Sequence, residues 1–246
     1  MPYSTSGKDR VAFWLQTASQ EACEIAALAR FDIIIFDGEH GIFTNEALNR
    51  LVPFCRSLGL TSYVRVAKAS QPTIQTALDV GADGVILPQI RDLEHAKSVS
   101  AFAKYPPQGA RGFGFNRTMK YSGVDDDFVS KHNREQLCFA MIETAGALKD
   151  VAEIASLDCV DGLFVGPSDL SLARGRGVFK SSEQDFADLL AIAGSAQGAG
   201  KLLGVAAPNS DYRRKAMEAN ADFIAVADEL TAMGIGFQQL RSFEGQ

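Results

Sequence analysis

Short apolar runs alternate along the chain with segments of helical periodicity. The runs are continuously apolar, which is typical of parallel strands that are covered on both faces. Between them, spacings such as Leu148, Val151, Ala152 and Ala155 indicate amphipathic helices. The eight candidate strands are Val11–Leu15, Ile33–Phe36, Thr61–Val66, Gly84–Leu87, Leu137–Ile142, Gly162–Val165, Leu202–Val205 and Phe223–Ala227.

A strand followed by a helix, repeated along 246 residues, predicts an α/β fold of the (β/α)8 TIM-barrel type. We expect one domain covering residues 1–246, since no linker or shift in composition marks a boundary. A doubly wound open sheet is the alternative, because counting strands does not establish closure. A weak internal repeat favours the barrel, because an aspartate precedes each even-numbered strand. These aspartates are Asp32, Asp83, Asp161 and Asp222.

Composition narrows the classes of function. With 24 basic and 30 acidic residues the net charge is −6, which argues against a general nucleic-acid-binding protein. The cysteines Cys23, Cys55, Cys138 and Cys159 form no CxxC pair, so we expect mostly buried free thiols in a reducing compartment. No apolar run approaches the roughly 20 residues of a membrane span, and residues 1–10 lack the apolar core of a signal peptide. We therefore expect a cytoplasmic protein without membrane partners.

Carboxylates follow strands 5 and 6, at the barrel end where TIM barrels carry their active sites. Glu143 and Asp169 stand at adjacent strand ends and can point at one position above the barrel. Two carboxylates are few ligands, so a hard divalent ion there would take the others from water and substrate. The alternatives are helix N-capping by Asp169 and a first-turn position for Glu143, and spacing leaves the choice open.

Two further side chains suggest chemistry. His40 follows strand 2 beside Asp37 and Glu39, where it could act as a general base or simply form local hydrogen bonds. Arg65 lies within the apolar strand 3, so it must be paired or must serve a ligand. A guanidinium suits a planar carboxylate or an enolate oxygen.

The segment from Tyr105 to Val124 carries Pro106-Pro107, Gly109 and Arg111. It predicts a long ordered loop over the C-terminal end of strand 4, and such loops are often functional. Its Gly112–Gly114 stretch is not a dinucleotide fingerprint, because no strand leads into it.

Six strings in the chain resemble the HpcH/HpaI family, the class II pyruvate-dependent aldolases that act on 2-keto-3-deoxy and 4-hydroxy-2-oxo acids. The strings occur in the family's order and cover most of the chain. The resemblance implies a barrel of the phosphoenolpyruvate/pyruvate-domain type. The strings are FDGEHG (36–41), YVRV (63–66), LDVGADGVILPQ (78–89), KYPPQGARG (104–112), IET (142–144) and VGPSDLS (165–171).

The resemblance also implies residue roles. Glu143 and Asp169 match the family's ligands for a divalent metal ion, Mg2+, Mn2+ or Co2+. His40 matches the catalytic base, and Asp79 matches the acid that partners this histidine. Arg65 matches the arginine that binds pyruvate and stabilises its enolate.

A pyruvate-binding segment follows from the same match. Ser168, with Gly166 and Pro167, corresponds to the cradle of the pyruvate carboxylate, and Asp37 lines the same pocket. Two departures concern substrate scope: Met141 replaces a glutamine found in many members, and residues 205–207 are smaller than in some members.

The resemblance implies a homohexameric lyase that reversibly cleaves a 4-hydroxy-2-oxo acid into pyruvate and a hydroxyaldehyde. An apolar C-terminal stretch offers material for a subunit interface or, equally, for barrel packing; it consists of Leu230, Met233, Ile235, Phe237 and Leu240. The alternatives are a citrate-lyase-like or citrate-forming enolate enzyme of the same fold, and a non-catalytic barrel that binds 2-keto acids. The aldehyde and its stereochemistry are not specified by these motifs.

Overall fold

In the computed structural model of the protein, which describes residues 10–242, eight parallel strands close into a barrel. Strand 8 pairs back to strand 1, so the (β/α)8 prediction is confirmed and the open sheet is excluded. Every predicted strand is present, with its ends shifted by no more than one residue. The strands are Arg10–Leu15 (β1), Ile33–Asp37 (β2), Thr61–Arg65 (β3), Gly84–Leu87 (β4), Leu137–Ile142 (β5), Gly162–Val165 (β6), Leu202–Ala206 (β7) and Phe223–Asp228 (β8).

Helices surround the barrel. The helical pattern over 148–155 is divided at Asp150, whose Oδ2 accepts a hydrogen bond from the backbone N–H of Leu93 (3.1 Å). None of the helices within residues 10–242 combines the length and the apolar character needed to cross a bilayer. The helices are Gln20–Leu28 (α1), Asn45–Ser57 (α2), Gln71–Asp79 (α3), Leu93–Ser100 (α4), Phe128–Glu135 (α5), Ala145–Lys149 (α6), Val151–Ala155 (α7), Pro167–Ala173 (α8), Glu183–Gly198 (α9), Ser210–Glu218 (α10) and Glu229–Ser242 (α11).

Both faces of the strands are buried, which explains why the strand sequences are continuously apolar. Successive residues of a strand face opposite sides. One set, including Ile35, Tyr63 and Phe164, fills the barrel interior. The intervening residues, such as Ile34 and Val64, pack beneath the helices.

The four repeated aspartates have one structural role at the N-terminal end of the barrel. Each accepts a backbone hydrogen bond from the preceding odd-numbered strand and so ties two strands together. The bonds are Val11 N to Asp32 Oδ2 (2.9 Å), Ser62 N to Asp83 Oδ2 (2.8 Å), Cys138 N to Asp161 Oδ2 (2.7 Å) and Leu203 N to Asp222 Oδ2 (2.7 Å). The internal repeat is therefore real, with two strand–helix units in each period.

All four cysteines are free. Cys23, Cys55 and Cys138 are fully buried and Cys159 is half-buried, which confirms the expectation of mostly buried thiols.

The expected position of the loop between Tyr105 and Val124 is wrong. The loop follows α4, which carries the chain back to the N-terminal end of the barrel. Arg111 accordingly donates to Gln136 Oε1 (2.6 Å), just before β5, and Gln136 donates to the carbonyl of Ala82, just before β4. The loop therefore packs at the end opposite the predicted active site.

Candidate active site

Strand periodicity places the predicted site at the C-terminal mouth of the barrel. Asp37 follows Ile35 on the inward face of β2, and Arg65 follows Tyr63 on the inward face of β3. Glu143 comes two residues after the inward-facing Met141 of β5. These charged side chains therefore form the upper layer of the barrel interior, above an apolar floor.

Arg65 and Asp37 form a buried ion pair across paired positions of β2 and β3. Arg65 Nε and Nη2 donate to Asp37 Oδ1 and Oδ2 at 2.9 and 2.6 Å, and Nη1 lies 3.2 Å from Glu39 Oε2. The guanidinium also stacks 4.7 Å from the ring centroid of Trp14. A guanidinium has five N–H donors, so two remain for an oxyanion in the space above.

Glu143 is a buried carboxylate with an unused oxygen. Its Oε1 accepts the backbone N–H of Gln89 at 2.6 Å, whereas Oε2 is buried and has no hydrogen-bond partner among the described residues. Burial, with the negative charges of Glu39 and Asp169 nearby, raises the pKa of Glu143 to about 7. A buried unpartnered carboxylate oxygen is costly unless a cation binds it.

The residues present fit a divalent metal ion. Asp169, half-buried in the first turn of α8, is close enough to Glu143 to raise its pKa. Gly166 keeps the space beside them open, because a Cβ there would lie 2.8 Å from Glu143 Oε2. Within residues 10–242 no three His, Cys, Asp or Glu side chains converge as a metal site. Two oxygen donors with an open side suit a hard ion that also binds water and substrate.

His40 lies at the rim of the site. Its side chain is 60% exposed, and its Nε2 is 3.9 Å from Glu39 Oε2. Its backbone N–H donates to Asp37 Oδ1 at 3.1 Å, so the aspartate that orients Arg65 also fixes the turn carrying His40.

Asp79 does not meet His40 within one chain. It ends α3, near the N-terminal end of the barrel, where its Oδ1 accepts from Arg111 (2.6 Å) and Asn116 (2.9 Å). His40 lies at the opposite end. The pairing implied by the family resemblance therefore stays a prediction.

A cavity of about 290 Å3, here called the mouth cavity, brings most of the predicted residues together. Those that line it are Asp37, His40, Arg65, Gly166, Pro167, Ser168 and Asp169. A larger cavity of about 810 Å3 lies at the N-terminal ends of β3 and β4 and contains none of the predicted site residues.

Five further residues line the mouth cavity. They are Trp14, Gln16, Met141, Ala206 and Asp228. The sequence links Met141 and the segment of Ala206 to substrate scope and gives Trp14, Gln16 and Asp228 no role. Trp14, Met141 and Ala206 lie two residues beyond inward-facing positions on their strands, so strand periodicity was the available signal. Of the small residues at 205–207, only Ala206 borders the cavity.

Glu229, the first residue of α11, connects three strand ends. Its buried Oε1 accepts the backbone N–H groups of Gln16 (2.8 Å) and Thr17 (2.6 Å). The carbonyl of Gln16 in turn accepts the N–H of Ile42 (2.7 Å), two residues beyond His40. Glu229 is thus a positioning residue for the turn that carries His40.

Replacing Glu229 by Ala should lower kcat roughly tenfold to a hundredfold, because small displacements of a reacting group are costly. Glu229→Gln keeps an acceptor oxygen and should stay near the wild-type kcat. Steady-state kinetics with thermal unfolding as a check on folding would measure this. A folded Glu229→Ala protein with wild-type kcat would contradict the positioning role.

Comparisons with known proteins agree with this geometry. The sequence model of the HpcH/HpaI aldolase/citrate lyase family matches residues 10–242. A 5-keto-4-deoxy-D-glucarate aldolase from Salmonella arizonae is 32% identical over 235 residues, covering 94% of this chain and 90% of that protein. A 4-hydroxy-2-oxovalerate aldolase from Novosphingobium aromaticivorans is 30% identical over 230 residues, covering 89% and 84%.

A solved structure gives the same result. The crystal structure of an HpcH/HpaI aldolase from Desulfitobacterium hafniense DCB-2 superposes with a TM-score of 0.90 at 25% identity, covering 98% of this chain and 95% of that one. The family match spans all the residues that form the barrel and its mouth. The protein therefore belongs to the HpcH/HpaI aldolase/citrate lyase family and, with it, to the lyases.

Proposed function

We propose that the protein is a metal-dependent class II aldolase that reversibly cleaves a 4-hydroxy-2-oxo acid into pyruvate and an aldehyde. The observation that carries this is the buried, unpartnered Oε2 of Glu143, which lies beside the cavity-lining Gly166 and close enough to Asp169 and Arg65 for their charges to act on its pKa. The aldolases that resemble the chain, named for a 4-hydroxy-2-oxo acid and a keto-deoxy sugar acid, support the same substrate class.

The site residues divide the chemistry between them. Glu143 and Asp169 would hold a divalent ion, which would act as a Lewis acid towards the keto oxygen. The two free N–H groups of Arg65 bind the pyruvate half and stabilise the enolate as it forms. His40 accepts the C4-hydroxyl proton while the C3–C4 bond breaks, which releases the aldehyde and leaves the enolate, and a proton delivered to C3 then completes pyruvate. In the addition direction C3 first loses that proton, and His40 donates its own proton to the new C4 oxygen.

Chelation should abolish turnover. In our proposal EDTA removes the ion that neutralises Glu143 and Asp169, and Mg2+, Mn2+ or Co2+ restores activity. The assay incubates the protein with pyruvate, each metal and a panel of small aldehydes, and follows the aldol adduct. If no adduct and no cleavage of hydroxy-keto acids were found across a broad panel, the proposed function would be wrong.

A Schiff-base mechanism would give the opposite pattern. Lys68 is exposed just beyond β3 and does not line the mouth cavity. Activity that survives exhaustive chelation, with borohydride trapping pyruvate on Lys68, would show a class I enzyme.

The rival functions receive less support. Recognition of coenzyme A by a citrate-lyase-like enzyme would need free cations near the mouth, and the arginines that follow Asp169 in the chain are Arg174 and Arg176. Arg174 lies 3.3 Å from Asp188, and Arg176 lies 2.9 Å from Asp185 and 2.7 Å from Asp188, so these acids neutralise both. A non-catalytic binding barrel would change the fluorescence of Trp14 on pyruvate binding without turnover in any metal.

We also propose a homo-oligomer, with a hexamer as the family expectation. Along α11 the side chains of Leu230, Met233, Ile235, Phe237 and Leu240 are exposed, each by 49–70%. A helix with this much exposed apolar surface is typical of an interface. Light scattering should give a multiple of the 26.4 kDa chain mass, whereas a monomer over a wide concentration range would contradict the proposal.

An oligomer would also reconcile Asp79 with its implied role. Because Asp79 and His40 lie at opposite ends of one barrel, their pairing requires a second copy of the chain. Mixing His40→Ala and Asp79→Ala proteins before reassembly should then restore part of the activity that each lacks alone. No recovery in mixed oligomers would leave Asp79 without a role in proton transfer.

A further inference from the structure

We propose that Gln16 determines specificity for the aldehyde by hydrogen bonding to the hydroxyl group of a 2-hydroxyaldehyde. The proposal rests on the proposed aldolase function and adds the residue that recognises the second substrate. It follows from the position of Gln16 at the mouth of the barrel and from the unused hydrogen-bonding groups of its side chain.

Gln16 directly follows β1 and lines the mouth cavity. Ala12 faces the barrel interior and Trp14, two residues later, borders the cavity, so the alternation of the strand directs the side chain of Gln16 to the same side. In a closed barrel of eight strands, β1 stands opposite β5 and beside β2. Gln16 therefore lies across the mouth from Glu143 and next to the turn that carries His40.

The backbone of Gln16 is fixed, whereas its side chain remains available. Its N–H donates to Glu229 Oε1 at 2.8 Å, and its carbonyl accepts the N–H of Ile42 at 2.7 Å. The hydrogen bonds of Gln16 to the described residues all come from these two backbone groups. The half-buried side chain thus starts from a fixed point and brings an unused donor and an unused acceptor to the cavity.

The proposed reaction brings the aldehyde towards Gln16. The pyruvate half is held towards Glu143 and Arg65, and His40 takes the C4-hydroxyl proton from the other side of the mouth. The substituent on C4 comes from the aldehyde, and a hydroxyl on it can both donate and accept, which matches a carboxamide. Gln16 belongs to the same chain as these residues, so it stays at the mouth whichever groups a second copy adds.

Glycolaldehyde and propanal provide a matched test, because they differ by a hydroxyl in place of a methyl group. Gln16→Met keeps the length of the side chain and removes its donor and its acceptor. With pyruvate and the activating metal, kcat/KM for aldol addition to glycolaldehyde should fall roughly tenfold in this variant, as for the loss of one hydrogen bond, and the value for propanal should change by less than about twofold. Gln197→Met is the control and should change neither value, since Gln197 is exposed in the last turn of α9.

Three results would overturn the proposal while leaving the aldolase function intact. They are an equal fall for both aldehydes in Gln16→Met, no change for either aldehyde, and a wild-type protein that adds propanal but not glycolaldehyde. The absence of any adduct with the wild-type protein, for these two aldehydes and across the wider panel, would instead overturn the proposed function itself.

D- and L-glyceraldehyde give a second test, because enantiomers have the same intrinsic reactivity. An amide at one fixed position can meet the 2-hydroxyl of only one enantiomer when the carbonyl is held in one orientation. The wild-type protein should therefore prefer one enantiomer, and Gln16→Met should bring the ratio of the two kcat/KM values closer to one. A ratio in Gln16→Met that equals the ratio in Gln197→Met would show that Gln16 does not recognise the hydroxyl.

Discussion

Replacing Glu143 by Gln should abolish turnover and at the same time stabilise the metal-free protein. The amide can still accept the N–H of Gln89 through its oxygen, so the local fold is kept. The substitution removes the negative charge of the Glu143 carboxylate. That carboxylate has a buried oxygen, Oε2, without a partner, and Glu39 and Asp169 repel its charge. In our proposal, the carboxylate that destabilises the metal-free protein is the same one that binds the metal.

The sign of the stability change follows from proton linkage. The pKa of Glu143 rises from 4.5 to about 7 on folding. Glu143 loses its proton at a lower pH in the unfolded chain than in the folded protein. The free energy of unfolding therefore falls as the pH rises from about 4.5 to 7, and the whole loss of stability persists above pH 7. At 1.36 kcal/mol for each pKa unit, the shift from 4.5 to about 7 costs about 3 kcal/mol.

Thermal unfolding in EDTA near pH 8 should therefore give a higher Tm for Glu143→Gln than for wild type. Added Mn2+ or Mg2+ should raise the Tm of wild type but not that of the variant. Glu24→Gln, an exposed substitution on α1, is the control and should change neither quantity. A Glu143→Gln protein that is less stable than wild type in EDTA, or that retains turnover, would contradict the assignment of Glu143.

The barrel could be predicted from the sequence because parallel strands bury both faces. Runs such as Gly84–Leu87 and Gly162–Val165 therefore stand out without any alternating pattern, and the strands were located to within one residue. The same regularity predicts the site: once Tyr63 faces inward, Arg65 two residues later must also face inward, at the end of the strand.

Other features depend on contacts between segments that are distant in the sequence. The loop after Tyr105 was expected at the wrong end, because its position depends on α4 returning the chain before the loop begins. The unpartnered oxygen of Glu143 could not be predicted from the sequence either. It depends on the absence of hydrogen-bond donors on neighbouring strands and not on the residues beside Glu143 in the chain. Sequence spacing suggested the metal carboxylates, but the physical reason for metal binding required the three-dimensional surroundings.

Arg65→Lys should reduce kcat/KM by roughly 10²–10³ while the protein remains folded. The Arg65 guanidinium makes three contacts: it donates two hydrogen bonds to Asp37, pairs with Glu39 and stacks on the ring of Trp14. Lysine keeps the charge but has no planar fork, so it cannot pair with Asp37 and hold the pyruvate half in the same geometry. Loss of one charge-assisted contact that strengthens in the transition state costs about 2–4 kcal/mol.

The chain provides its own probe for this variant. Trp14 is the single tryptophan, and its ring lies 4.7 Å from the Arg65 guanidinium, so its fluorescence should report both the substitution and pyruvate binding. In Arg65→Lys we expect an altered emission and a weaker response to pyruvate, together with the loss of turnover. Arg56→Lys is the matched control: Arg56 is 59% exposed and pairs with Asp83 at the other end of the barrel, so kcat/KM should not change. A wild-type value of kcat/KM in Arg65→Lys would contradict the proposed role of Arg65. A positive charge without the planar guanidinium would then be sufficient for turnover, and the buried ion pair would serve only the fold.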